Sequence, residues 1–210
     1  MVEDDTNIEV LMKEVLPKKP DLLEIRLDRL HERKMLEEIA NRKSFPVIAT
    51  DRSNRGERGK LERLLYAAAL GFDFVDIEYA ATNAAAVKQM KSKGADVIIS
   101  FHHYSRTPPK EELTKILEAE KSLGGDICKL VTTARLPHDN LTVLGFVEEE
   151  AANVRLVSFA MGRHGRPSRI LSPLFGAEFT FAALSDEAGT ADGQLSIDEL
   201  RSAWRILGIQ

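Results

Sequence analysis

Lys129 lies within Asp126-Ile127-Cys128-Lys129-Leu130-Val131, an apolar run that reads as a buried strand. Burying an ammonium is costly, so such a lysine either takes a counter-charge or gives up its proton, and the neutral amine attacks carbonyls. The chemistry this suggests is Schiff-base formation. Other reactive or charged side chains sit at or near the ends of other apolar runs: Glu24 and Arg26 in Leu23-Glu24-Ile25-Arg26-Leu27-Asp28, then Arg52, Glu78 and His102. One polar pocket could collect all of them if those runs are strands of one sheet.

The runs recur at 22–27, 46–50, 74–79, 97–101, 127–131, 154–159 and 177–181, a spacing of one strand and one helix each. Helical patterns fill the gaps. Leu61, Leu64, Leu65 and Ala68 repeat at helical spacing, Thr107 as cap and Pro108 in the first turn open another helix that Gly124-Gly125 closes, and Ser196 with Glu199 has the capping-box spacing before Leu200 and Trp204. Strands alternating with helices predict a parallel sheet, and no reversal of order appears, so the expected fold is α/β, a (β/α)8 TIM-type barrel formed as one domain over residues 1–210. The first helix shows as Ile8, Leu11, Met12, Val15 and Leu16, but few residues precede it and they are acidic. The first barrel strand is therefore expected to be vestigial or missing.

Residues two apart on a strand share a face. Glu24, Arg26 and Asp28 align, as do Thr50 and Arg52, and Ser100 and His102. Barrel enzymes act at the carboxyl ends of their strands, where these residues fall. Each alone has an ordinary explanation: an arginine as an ion-pair partner, a histidine as a structural hydrogen-bonding group, Lys129 as half of an interior ion pair. Together they are too many charges for a barrel interior that needs none for stability, because desolvation penalises them. Cys128 has the opposite parity to Lys129 and reads as a small apolar filler against the helices.

Composition narrows the classes. Twenty-nine Lys and Arg against 33 Asp and Glu give a mildly acidic chain with no long basic run for nucleic acid or anionic membrane. No apolar stretch approaches the roughly 20 residues of a membrane span. The amino terminus lacks the segments of a signal peptide, and one cysteine cannot form an internal disulfide, so a cytoplasmic location is expected. No metal-ligand cluster or glycine-rich phosphate loop stands out, and Gly56-Glu57-Arg58-Gly59 is not a P-loop.

Several motifs, taken in order, resemble the type I, Schiff-base-forming 3-dehydroquinate dehydratases. Asp21-Leu22-Leu23-Glu24-Ile25-Arg26-Leu27-Asp28 resembles the D-x-x-E-x-R-x-D strand, and Ser100-Phe101-His102-His103-Tyr104 with Thr107-Pro108 resembles S-x-H-[DN]-[FY] followed by T-P. Lys129 matches the imine-forming lysine, Met161-Gly162 with Ser168-Arg169 the M-G…S-R segment, and Gly193-Gln194 the end of an A-P-G-Q loop. The resemblance implies elimination of water from 3-dehydroquinate to give 3-dehydroshikimate, with no metal or organic cofactor. It assigns Lys129 to the imine, His102 to general base and acid, and Arg169 to the substrate carboxylate. Glu24, Arg26, Arg52, Thr190 and Gln194 become further substrate contacts. Two departures stand out: the E-G-G after Arg52 is shifted by one residue, which makes Glu57 the expected partner of His102, and Asp192 replaces the proline of A-P-G-Q. The stretch 187–194 is expected to be a lid. A homodimer is expected where barrel helices expose apolar surface. Two other readings remain open on the residues themselves, a Schiff-base barrel enzyme of the class I aldolase type and a non-catalytic barrel that serves as a binding module.

Overall fold

The computed structural model describes residues 8–30, 33–184 and 192–208. Its strands form one parallel sheet in chain order, β1 Leu23–Arg26, β2 Val47–Thr50, β3 Phe74–Glu78, β4 Asp96–His102, β5 Ile127–Thr133 and β6 Leu156–Met161. The chain divides into two compact units: one holds the described residues up to Ile99 with Ser122–Asp126, the other Ser100–Lys121 with the described residues from Ile127 onward. The coarse expectation, a parallel α/β fold with helices between the strands, is met.

In the first unit, β1 pairs with β2 so that Glu24 lies beside Ile48 and Arg26 beside Thr50, and β2 pairs with β3 so that Thr50 lies beside Asp76. The helices are α1 Ile8–Lys18, α2 Arg33–Arg42, α3 Gly56–Ala69 and α4 Ala84–Lys91. Each buries one apolar stripe: Leu11 and Val15 on α1, Leu36 and Ile39 on α2, Leu64, Ala67 and Ala68 on α3. Asn83 caps α4 by accepting a hydrogen bond from the Ala86 N–H at 3.0 Å.

In the second unit, α5 Lys110–Ser122 and α6 Asp139–Glu150 cover one face of β5 and β6. Leu113, Leu117, Phe146 and Val147 from these helices pack with Cys128, Leu130 and Leu156 from the strands. Register places Cys128 beside Leu156 and Lys129 beside Val157, so alternation sends Cys128 into this apolar layer and Lys129 to the other side. Two shorter elements follow, α7 Arg166–Leu171 and α8 Ile197–Ile206. Ser196 and Glu199 form the expected capping box at α8.

Two local expectations are corrected. Thr107 does not cap α5: its hydroxyl lies 3.0 Å from Thr132 Oγ1 and donates to the Thr133 carbonyl at 3.1 Å, while the Pro109 carbonyl accepts from Glu112 and Leu113. Two successive prolines push the preceding backbone out of the helical region, so the helix begins after them. The seventh apolar run forms no strand. Glu178 N–H reaches the Leu156 carbonyl at 2.8 Å, yet Phe179, Thr180, Phe181 and Ala182 are all half-buried, without the alternation a ladder imposes. Ala183 instead makes an isolated parallel bridge with Ser196. The vestigial or missing first strand concerns residues outside the described ones.

Candidate active site

The ends of β1, β2 and β3 bring Glu24, Arg26, Asp28, Arg52 and Asp76 into one linked polar group. Arg26 grips Asp28 with two bonds, Nε to Oδ1 at 3.0 Å and Nη2 to Oδ2 at 2.9 Å. Asp28 also accepts the Arg52 backbone N–H at 3.1 Å. Burial alone would raise the Asp28 carboxyl, but these donors outweigh it and hold it below its ordinary value. Thr50 Oγ1 donates to Glu24 at 2.8 Å, and Arg52 Nη2 meets the fully buried Asp76 at 2.5 Å. Desolvation of Arg52 opposes its charge, yet Asp76, Glu78 and Glu24 hold the guanidinium above its usual range. Glu78, at the end of β3, pairs with Lys60 at 2.9 Å. The strand-end cations are thus oriented by carboxylates that share their face.

Across the second unit, Lys129 is only 4% exposed and its Nζ lies 4.2 Å from the centroid of the Phe181 ring. An ammonium over a phenyl face is attracted by the ring quadrupole. Phe181 in turn approaches Phe159, with centroids 6.1 Å apart, and the Arg169 guanidinium lies 4.3 Å over the Phe159 ring. Two rings therefore link the two cations. His102 stacks against Tyr104 at 5.8 Å with planes 13° apart. His103 is engaged differently: its Nδ1 faces the backbone N–H groups of Ser105 and Arg106 at 3.4 and 3.3 Å, which makes it part of the turn after β4.

Arg169 is aimed by its neighbour. Ser168 is fully buried, donates to the Gly165 carbonyl at 2.8 Å and accepts the Ala160 N–H at 2.9 Å. Asn140, from α6, accepts the Ser168 N–H at 3.0 Å and donates to the Pro137 and His164 carbonyls, each at 2.7 Å. This bracket fixes α7 on β6. Arg169 itself is 2% exposed, and its Nε has no hydrogen-bond acceptor among the described residues. Burial pushes the guanidinium down to about 10, with the charge of Asp192 acting in the opposite direction. A buried guanidinium with an unused N–H is suited to an anionic ligand.

The loop before α8 approaches the end of β6 backbone to backbone. Gly162 N–H donates to the Asp192 carbonyl at 3.0 Å, and a Cβ built on Gly193 would lie 2.2 Å from the Gly162 carbonyl oxygen. Gly193 also has φ +74°, so only glycine suits this position. Gln194 is half-buried beside it. Thr190, with most of the lid stretch, lies outside the described residues.

Glu24, Arg26 and Arg52 are brought together in the first unit; Lys129 and Arg169 are linked through aromatic rings in the second. Glu57 is exposed in the first turn of α3. Sequence reasoning missed Asp76, Asn140, Phe159 and Phe181 as organisers. Asp76 was detectable, since it lies two residues from Glu78 and so shares its face; Asn140 was not, because the partners it joins, His164 and Ser168, are 24 and 28 residues away.

The sequence matches the family described as Type I 3-dehydroquinase over residues 1–210. The 3-dehydroquinate dehydratase of Methanosarcina barkeri is 35% identical over 207 residues, covering 89% of this chain and 85% of that protein. That of Methanosarcina acetivorans is 32% identical, covering 93% and 88%. The crystal structure of 3-dehydroquinate dehydratase from Geobacillus kaustophilus superposes with a TM-score of 0.87 at 29% identity, covering 98% of this chain and 88% of that one. A type I 3-dehydroquinate dehydratase from Clostridium difficile, solved with covalently modified comenic acid, gives a TM-score of 0.81 at 25% identity, covering 93% and 84%. With the whole length matched and strand-end motifs in place, the chain belongs to the type I 3-dehydroquinase family.

Proposed function

We infer that this protein eliminates water from 3-dehydroquinate to give 3-dehydroshikimate through an imine on Lys129. The observation that carries the reading is a lysine 4% exposed and held over the Phe181 ring, at the position to which the sequence resemblance assigns the imine former. The Lys129 amine adds to the C3 ketone and expels water, forming the imine. The protonated imine draws electrons from C2, His102 takes the C2 proton, and the same proton leaves with the C1 hydroxyl as water while the C1–C2 double bond forms. Hydrolysis of the imine returns the lysine. The unused Nε of buried Arg169 supports its role as carboxylate anchor. Glu24, Arg26 and Arg52, fixed by Thr50, Asp28 and Asp76, are proposed to contact the hydroxyl and carboxylate groups, with Thr190 and Gln194 from the loop.

Glu57 is proposed to orient His102. Glu78 is the competing carboxylate, favoured by its strand-end position and partial burial. Glu57→Gln and Glu78→Gln separate them: the orienting residue is the one whose loss displaces the pH profile of kcat.

The six-stranded sheet and the barrel-like neighbours support a single (β/α)8 barrel domain. Exposed Leu136, Leu141, Leu174 and Phe175 in the second unit support a homodimer, which light scattering tests directly. Among the described residues no helix is long and apolar enough to cross a membrane. A cytoplasmic location rests on the lone cysteine.

Borohydride added with 3-dehydroquinate tests the central step. A mass increase on Lys129 is expected, absent in Lys129→Met. His102→Ala should still trap the adduct while turnover falls about 10² to 10⁴-fold. No adduct on Lys129 would overturn the assignment.

A further inference from the structure

In the first unit, α2 and the start of α3 border an open cleft of about 490 Å3 that none of the strand-end carboxylates and cations described above lines. Its volume falls within the roughly 300–1,000 Å3 of small-molecule sites. Leu30 and Leu36, 6% and 4% exposed, supply buried apolar lining, and Tyr66 adds an aromatic face. Three guanidiniums also line it: Arg33, Arg55 and Arg63. Among the described residues that line it the one carboxylate is Glu62, paired with Arg58 at 3.1 Å. Asp51 offsets Arg63 and Glu37 lies at the Tyr66 hydroxyl, so among the described groups Arg33 and Arg55 leave a positive balance beside the apolar surface.

The three arginines are held differently. Arg63 is fixed: its Nη2 donates to the Leu27 and Leu30 carbonyls, and its Nε lies 3.4 Å from Asp51. Arg33 lies with its guanidinium carbon 5.1 Å from the Tyr66 ring centroid, while the Tyr66 hydroxyl donates to Glu37 at 2.6 Å, which fixes the ring. Arg55 is exposed immediately before α3, whose first backbone N–H groups receive no side-chain cap from it. Two exposed guanidiniums above a buried apolar surface form the pattern expected for an anion attached to a hydrophobic body. A bare inorganic anion leaves the leucine surface unused, and a neutral ring leaves the arginines unused.

We propose that this cavity binds a small organic anion, a ring or other compact apolar body bearing one carboxylate, with the body against Leu30, Leu36 and Tyr66 and the carboxylate toward Arg33 and Arg55. Benzoate is the probe, titrated calorimetrically into the full chain. The expected result is a binding event that persists in Arg169→Ala, which removes the competing carboxylate anchor of the proposed dehydratase site. In Arg33→Ala/Arg55→Ala the apparent Kd should rise at least about tenfold, with circular dichroism confirming that the fold is retained; should that double variant unfold, Arg33→Gln/Arg55→Gln replaces it. Benzamide and inorganic phosphate should each bind at least tenfold more weakly than benzoate. Binding unaffected by loss of both arginines, or lost in Arg169→Ala, overturns the proposal. Equal binding of benzamide removes the need for charge and equal binding of phosphate the need for an apolar body, and either result also overturns it.

Discussion

The Nζ of Lys129 sits 4.2 Å from the centroid of Phe181, a residue supplied by the irregular segment that follows β6 and α7. A cation–π contact of this kind contributes about 0.5–2 kcal/mol, equivalent to a two- to thirtyfold effect. If the ring stabilises the protonated imine that borohydride reduces, Phe181→Leu should reduce trapping on Lys129 and kcat/KM by about that factor. Unchanged trapping would remove Phe181 from the site.

Asp76 is fully buried against Arg52. Removing one partner of a buried ion pair typically costs about 3–5 kcal/mol, because the remaining charge is left desolvated. Asp76→Ala should lower urea stability by that amount, and Asp76→Leu combined with Arg52→Met should recover part of it. Equal losses in the two variants would show that the pair is not coupled.

Asp28 carries a carboxyl held below its ordinary 3.8 by Arg26 and the Arg52 N–H despite partial burial. Its contribution to stability is fully present above the unfolded value and is lost as pH falls through the lower folded value. Wild-type urea midpoints should thus decline more steeply than those of Asp28→Asn below pH 3.8. Parallel acid profiles would contradict the assigned role of Asp28.

Burial and the nearby Glu120 push the Cys128 thiol up to about 12. At pH 8 its thiolate fraction is about 10⁻⁴, and the sulfur is shielded among Leu113, Leu117 and Phe146. Iodoacetamide should leave the native protein unmodified and alkylate Cys128 only after unfolding, as read by mass spectrometry. Rapid native alkylation would mean that this apolar layer opens.

What the sequence revealed was periodic; what it concealed was mostly contact at a distance. Alternation along 22–28 and 126–131 was enough to assign faces to Glu24, Arg26, Cys128 and Lys129, because a strand allows only two. Thr107 looked like a cap because the pattern Thr-Pro is local, but its hydroxyl is used by Thr132 and Thr133 across to β5. The run at 177–181 had strand composition, yet its Phe181 serves Phe159 and Lys129 instead of a ladder. No local signal reports that Asn140 clamps Ser168 and so aims Arg169, since the bond joins residues 28 apart.

Cys128 and Lys129 are adjacent in sequence and back to back in β5. The sheet thereby partitions two mutational neighbourhoods: changes in the α5 and α6 layer should alter how tightly this unit packs, while changes on the lysine side should alter the proposed chemistry. A single inserted residue ahead of Lys129 in β5 would exchange them, presenting a thiol where the amine belongs and burying the amine among leucines. Drift in helix sequence is tolerated far more readily than drift in strand length, so the reach of β5 from Ile127 to Lys129 should be among the least negotiable distances in the chain.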